Sequence, residues 1–408
     1  MNLNELLLSC LHEDAGRFPS DDLDRLTTDQ WDSLVKRAVE YRVGPLLHHR
    51  IASAGLASKA GQQGLRQLEA YSREVARKNL FMFAELQRYL QQLESNNIPV
   101  ILLKGVYLAH KIYPGGGLRE MNDMDLLFRK TDLKRASDLL LNMGYEPVKP
   151  LHIDYEIRKS HHLPPMIKAE DAVFEIHWNI TKPGKPYNIE PDGLWERAQS
   201  GTVLGSPVRF LSPEDLLLHL CIHTSYQHMF SFGLRPFCDI AATIRHFGDE
   251  VDWDQLIRRA EAYRWQKGIY LALLAAKEMM GANVPQDIIQ SLKPEDAEPK
   301  LLSIGKEQVF MEKYVSASVP QPMVDLVESK GIIHKIKTVW NRIFLPREFM
   351  VTRYPVQPGS VKIYWYYLVR LWEAVRDHSV KLFRIYRGDQ KLGGIVERKN
   401  MLNRWLNE

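Results

Sequence analysis

The spacing of apolar residues changes between residues 97 and 211, and this change most constrains the fold. From about residue 65 to 93, apolar side chains recur every three to five positions, which is typical of one face of a long helix. Beyond Asn96 and Asn97 they form short runs separated by turn residues, the pattern of buried strands. From Ser212 onward the helical spacing returns. The chain is therefore predicted to hold a mixed helix-and-strand domain between helical regions.

The predicted elements define three regions: N-terminal helices over 1–96, a mixed domain over 97–211, and C-terminal helices over 212–408. The mixed domain alternates strands and helices, which favours an α/β or α+β fold. Its predicted strands cover 99–103, 124–128, 156–167 and 172–180, with a hairpin over 202–211 and helices over 106–113 and 131–143. The C-terminal region has predicted helices over 236–247, 253–280, 299–313, 324–344 and 361–386.

Composition places the chain among soluble globular proteins. Of its 408 residues 45% are hydrophobic and 25% are charged, which excludes disordered, collagen-like and disulfide-scaffold chains. No apolar stretch approaches the roughly 18 residues of a membrane span, and the first residues lack the basic start of a signal peptide. The three cysteines show no C-x-x-C spacing, so we expect a reducing, cytoplasmic location.

Two aspartates in one predicted strand are the first candidate functional residues. Asp123 and Asp125 are two positions apart, so in a strand they project from the same face, about 6–7 Å apart. Carboxylates held that close repel each other unless they share a proton or bind a cation. Mg²⁺ takes such oxygen ligands and keeps open positions for substrate phosphates. The pair therefore indicates a metal site, although an isolated Asp-x-Asp is also common in loops.

Two further features occupy the same domain. Lys104 and Gly105 follow the first predicted strand at a strand-to-helix turn, where backbone N–H groups attract phosphate. Glu175 interrupts an apolar run on a later strand and would bring a third carboxylate to the same sheet edge. Together with the two aspartates, these residues predict a metal-assisted phosphoryl-transfer site.

Histidines provide weaker candidates. His177 is two residues from Glu175 and so on the same strand face, where it can contact phosphate or acceptor or be a satisfied half-buried histidine. His219 and His223 share a helix face, but without a third ligand a structural role is favoured over zinc binding. His161 and His162 are predicted to face opposite ways along a strand.

The ordered pattern resembles the DNA polymerase beta-type nucleotidyltransferase superfamily, which has a glycine turn, an Asp-x-Asp strand and a later acid on a strand. More closely, Leu-Leu-Lys-Gly, Arg119 four residues before Asp-Met-Asp-Leu-Leu, and Glu-Ile-His-Trp resemble a bacterial group called nucleotidyltransferase family proteins. The Lys-Gly and Arg-x-x-x-Asp-x-Asp motifs are also similar to toxin nucleotidyltransferases of abortive-infection systems. The resemblance implies a polymerase-beta-type domain with a mixed sheet, flanked by helices.

The resemblance also implies a metal site and a base. Asp123 and Asp125 would hold Mg²⁺, or Mn²⁺, against a nucleoside triphosphate such as ATP. Glu175 would either complete the second metal site or activate the acceptor hydroxyl as a general base.

The resemblance further implies that the turn at Lys104 and Gly105 binds the phosphates. Gly105 would let the backbone approach the β- and γ-phosphates, and Lys104 and Arg119 would supply countercharge, with His177 as a further nucleotide contact. Val106 departs from the superfamily, which usually has Ser or Gly there, so a phosphate-binding hydroxyl is missing.

The predicted function is Mg²⁺-dependent transfer of a nucleoside monophosphate to a small molecule, protein or RNA acceptor, with release of pyrophosphate. Two alternatives stay open: a catalytically weak nucleotide-binding or interaction protein, and a toxin-like enzyme that modifies tRNA. The charge distribution bears on the toxin-like alternative. The net charge is +4, but residues 331–408 carry 15 Lys+Arg and 6 Asp+Glu and the remainder is acidic. A basic segment of this kind attracts polyanions such as RNA. An aromatic stripe there, including Tyr364, Leu368, Leu371 and Trp372, is predicted mainly to pack internally.

Overall fold

The computed structural model describes residues 2–55, 62–168, 172–311, 359–386 and 390–408, with scattered positions between 340 and 357. The chain divides into two compact units, Met1–Phe310 and Met311–Glu408. Both predicted region boundaries, 96/97 and 211/212, fall inside the first unit. The first unit therefore holds the N-terminal helices, the strands and most of the C-terminal helices.

Five helices precede the strands. They are α1 (Leu3–Leu11), α2 (Ser20–Asp24), α3 (Thr28–Glu40), α4 (Gly44–Ser53) and α5 (Gln62–Ser95). A capping box starts α3: the Thr27 hydroxyl accepts from the backbone N–H of Gln30, whose side chain accepts from the N–H of Thr27. The long predicted helix is confirmed as α5, which buries Leu68, Leu86 and Leu90 along one face.

A seven-stranded sheet forms the centre of the first unit, in the order β3-β4-β5-β2-β1-β7-β6. Its strands are β1 (Ile101–Leu102), β2 (Met124–Leu127), β3 (Glu146–Pro147), β4 (Met166–Ile167), β5 (Val173–His177), β6 (Gln199–Val203) and β7 (Ser206–Phe210). The β2–β5 and β1–β7 pairs are parallel and the other pairs are antiparallel. The predicted α+β fold with a mixed sheet and helical flanks is confirmed.

Four helices lie among the strands: α6 (Lys104–Tyr107), continued by a π-helical turn (Leu108–Ile112), α7 (Leu133–Asn142), α8 (Ile153–Lys159) and α9 (Asp192–Arg197). The strand predicted over 156–167 is wrong, because its first part is α8 and only Met166–Ile167 is a strand. Acids in the first turn of α8 and bases in its last turn complement the helix dipole, which favours the helix. The predicted hairpin is confirmed as β6 and β7.

Within the first unit, six helices follow the sheet: α10 (Pro213–Ile222), with a π-helical turn (His223–Gln227), α11 (Arg235–Phe247), α12 (Trp253–Ala262), α13 (Gln266–Met280), α14 (Gln286–Leu292) and α15 (Pro299–Val309). The single helix predicted over 253–280 is two helices. Arg264 has a φ of 59°, which ends the helical backbone. Trp265 then donates its indole N–H to the Tyr187 carbonyl at 2.8 Å, fixing the join in the core.

Gly281 ends α13 in a left-handed conformation, with a φ of 71°. A Cβ at this position would overlap the His12 ring. We predict that Gly281→Ala destabilises the protein by about 2–3 kcal/mol, from backbone strain plus that overlap. Gly184 is the control, because its φ is 72° and a Cβ there would meet nothing within 4 Å. Gly184→Ala should cost only about 1–2 kcal/mol, and equal losses in urea unfolding would contradict the overlap.

The second unit contains α16 (Lys362–Tyr386) and α17 (Gln390–Asn407). The prediction that the aromatic stripe packs internally is wrong for four of its residues. They are 44–59% exposed: Tyr364, Leu368, Leu371 and Trp372. Apolar side chains occur on several faces of α16, so burying the face of Ile363 leaves others exposed. The helix predicted over 324–344 lies almost wholly outside the described residues. In the described part of the chain, no helix combines the length and apolar character of a membrane span.

Candidate active site

Two adjacent parallel strands align the predicted acids. Asp125 of β2 pairs in register with Glu175 of β5, so both side chains project from the same face of the sheet. Asp123 lies just before β2. The backbone N–H of Leu103 donates to the Asp125 carbonyl at 3.1 Å, which brings Lys104, the first residue of α6, next to the acids. The sheet therefore assembles segments that are about 70 residues apart in the chain.

Asp125 is buried between two basic groups. Its Oδ2 lies 3.1 Å from the Lys104 Nζ, and its Oδ1 lies 2.9 Å from the His177 Nε2. Burial alone would raise the pKa of Asp125, but Lys104 and His177 outweigh burial and hold that pKa well below its usual range. Asp125 is therefore ionised and fixed in orientation.

His177 connects two of the carboxylates. Its Nε2 also lies 3.3 Å from the Glu175 Oε2, and the residue is only 3% exposed. Burial opposes the charged imidazole, yet the bonds to Asp125 and Glu175 raise the pKa of His177 to about 9. His177 is thus a countercharge for the acids, and its predicted contact with nucleotide stays a prediction.

Asp123 completes the acidic group. Burial, and then the nearby charge of Asp125, raise the pKa of Asp123, as expected for carboxylates that repel one another. Three carboxylates therefore lie close enough to interact, and a cation bound among them would relieve their repulsion. One oxygen each from Asp125 and Glu175 and one nitrogen from His177 lie within 4.8 Å of one another, a group that could hold a metal ion.

Arg119 forms a buried ion pair with Asp239. Its Nε and Nη2 donate to the two oxygens of Asp239 at 2.9 and 2.8 Å, and its Nη1 donates to the Gly105 carbonyl at 3.3 Å. Tyr113 donates its hydroxyl to the same Asp239 at 3.1 Å. Arg119 therefore fixes the backbone of the Lys104–Gly105 turn, whereas its predicted role as phosphate countercharge stays a prediction.

Sequence reasoning missed Arg235, which lies one turn before Asp239 on α11. Its Nη1 donates to the Glu120 carbonyl at 2.9 Å, while its buried Nε has no partner. Burial, and then the charge of Arg119, lower the pKa of Arg235 to about 10, and its charge acts on Asp123. An Arg and an Asp four residues apart in the otherwise apolar first two turns of a helix were the available signal.

His219, His223 and His228 are uncharged. His223 and His228 bring their Nε2 atoms within 3.1 Å, as a hydrogen-bonded pair. Burial, followed by the charge of Lys104, lowers the pKa of His223 and His219 well below the ordinary value and that of His228 to about 3. Within the described residues, no metal-binding group of three includes His219 or His223.

The expectation that His161 and His162 face opposite ways is wrong. Their ring centroids are 4.7 Å apart and lie 5.3 and 5.0 Å from His177. The segment is irregular rather than a regular strand, so the alternation of side chains does not apply.

Comparison with known families decides the identity. Residues 27–281 match the profile of a family described as uncharacterised nucleotidyltransferases, which is more than half of the chain. The chain belongs to this nucleotidyltransferase family. The predicted family relationship and enzyme class are confirmed, and a nucleotide is therefore its substrate. No curated protein and no solved structure matches the chain.

Proposed function

We propose that this nucleotidyltransferase moves a nucleoside monophosphate from a nucleoside triphosphate to an acceptor hydroxyl and releases pyrophosphate. The observation that carries the proposal is the register of Asp125 with Glu175, beside Lys104 and close to Asp123. The acceptor oxygen forms a bond to the α-phosphorus while the bond to the β-phosphate oxygen breaks. The acceptor class is a small molecule, a protein side chain or an RNA end.

A divalent metal fits the donor set. Asp123, Asp125 and Glu175 would hold Mg²⁺, or Mn²⁺, which when bound neutralises the triphosphate and polarises the α-phosphate. The grouping of three carboxylates supports this assignment, since burial and then the charges of Asp125 and Glu175 raise the pKa of Asp123. His177 orients Asp125 and Glu175 from the protein side.

Different residues accept the proton of the acceptor and bind the phosphates of the nucleotide. The Glu175 side chain is 21% exposed against 1% for Asp125, so of these two paired acids Glu175 is the one that an acceptor can reach, and we assign it the acceptor proton. Lys104 and the Gly105 backbone bind the β- and γ-phosphates. Val106 is fully buried, so its side chain takes no part in phosphate binding.

The test supplies each of the four α-labelled nucleoside triphosphates with Mg²⁺ and a cell lysate as the source of acceptors. Label that appears in protein, RNA or a small product, together with pyrophosphate, supports the proposal and identifies the acceptor class. Label in tRNA would favour the toxin-like alternative. Nucleotide binding by the folded protein without transfer from any triphosphate would instead favour the weakly catalytic alternative.

Lys104→Met should lower kcat/KM for the triphosphate about 10- to 100-fold, mainly through KM. The reason is the loss of charge-assisted bonds to phosphate, worth about 1.5–3 kcal/mol. Initial rates at varied triphosphate concentration measure the change. Lys111→Met is the matched control, because Lys111 is exposed on the following turn and should leave kcat/KM unchanged. Equal values for wild type and Lys104→Met would remove Lys104 from the site.

A further inference from the structure

A cavity of about 340 Å³ lies outside the carboxylate cluster, among residues of α1, α4, α11 and α13. None of the residues assigned above to metal or nucleotide lines it. Its floor is apolar and buried, and includes Leu11, Ala242 and Met280. Its mouth carries the exposed residues Ser53 and Arg245. Such a volume, with buried apolar residues beside charged and polar ones, suits a small organic ligand that has both an apolar and a charged part.

The charges of the lining favour an anion. Arg50 and Arg245 are its two arginines, and Glu13 is its one carboxylate. Arg245 is ion-paired with Glu13. Arg50 donates to the backbone carbonyl of His12, a neutral partner. Counted over its arginines and carboxylate, the lining carries one positive charge in excess beside an apolar floor, and His49 is a further lining residue that can only add positive charge.

The cavity lies close to the network that holds the phosphate-binding turn. Tyr113 is part of its wall and donates its hydroxyl to Asp239, the partner of Arg119. A ligand in this cavity would thus contact a side chain that is bonded directly to the buried ion pair.

We propose that this cavity binds a small organic monoanion with an apolar body, such as an aromatic carboxylate. The single excess positive charge matches one carboxylate, and the floor matches the body. A dication or an ammonium ligand would face Arg50 and Arg245 with the same sign of charge, and a neutral ligand would leave the excess charge without a counterion.

Benzoate is the test ligand, with benzamide and benzylamine as its neutral and cationic counterparts. Saturation-transfer NMR and calorimetry on the full chain should show that benzoate binds more tightly than benzamide, and that benzylamine does not bind. Ser53→Trp at the mouth should abolish benzoate binding. Ala52→Trp, on the neighbouring exposed position that does not line the cavity, should leave it unchanged.

Two charge variants should change the affinity for benzoate in opposite directions. Arg245→Gln should weaken benzoate binding roughly two- to fivefold, and Glu13→Gln should strengthen it by a similar factor, as for a partly exposed charge. No binding of benzoate, equal binding of all three compounds, or binding that survives Ser53→Trp would overturn the proposal. No readout uses nucleotidyl transfer, so this result is independent of the proposed reaction.

Discussion

Asp125→Asn should lower the rate of nucleotidyl transfer by at least roughly a hundredfold, because a preorganised charge at the reacting phosphate is removed. The amide keeps the shape of the carboxylate but loses its charge and its ion pairs with Lys104 and His177. Transfer of label from the α-labelled triphosphate measures the effect. Circular dichroism and thermal unfolding show whether the variant is folded.

Two companion variants separate chemistry from stability. Asp249→Asn changes an exposed aspartate of the 3₁₀ turn Gly248–Glu250 and should leave both activity and unfolding unchanged. Glu175→Gln changes a more accessible carboxylate and should lose transfer while remaining folded. Wild-type transfer by folded Asp125→Asn or Glu175→Gln would refute the assigned site.

Asp239→Ala should destabilise the protein by about 3–5 kcal/mol, the typical cost of leaving a buried charge without its partner. Arg119 is 6% exposed and Asp239 2% exposed, and the pair makes two short hydrogen bonds. Equilibrium unfolding in urea measures the loss.

A double replacement distinguishes a buried charge from a packing defect. Arg119→Met with Asp239→Leu removes both charges at similar volume and should cost clearly less than Asp239→Ala alone. Asp138→Ala breaks the exposed ion pair with Lys134 and should cost at most about 1 kcal/mol. A loss for Asp239→Ala as small as that for Asp138→Ala would show that the buried pair contributes little.

Local sequence patterns predicted helices and strands well where interactions between residues close in the chain determine them. The predicted return of helix at Ser212 is confirmed by α10, which Ser212 caps by accepting from the Asp215 N–H at 3.3 Å. The apolar run at 124–128 was predicted as an inner strand, and all of β2 is buried. Prediction failed at α8, where short mixed segments fit strand and helix alike, and at the α12–α13 join, which depends on the distant Tyr187 carbonyl.

The sequence by itself determined the types and the order of the residues proposed for the site, Lys104, Asp123, Asp125 and Glu175. Only the tertiary structure decided what the other polar residues contact. His177 neutralises the acids, and Arg119 binds Asp239. The physical reason is that residue type and spacing fix local geometry, whereas the partner of a buried charge depends on which distant segment packs against it.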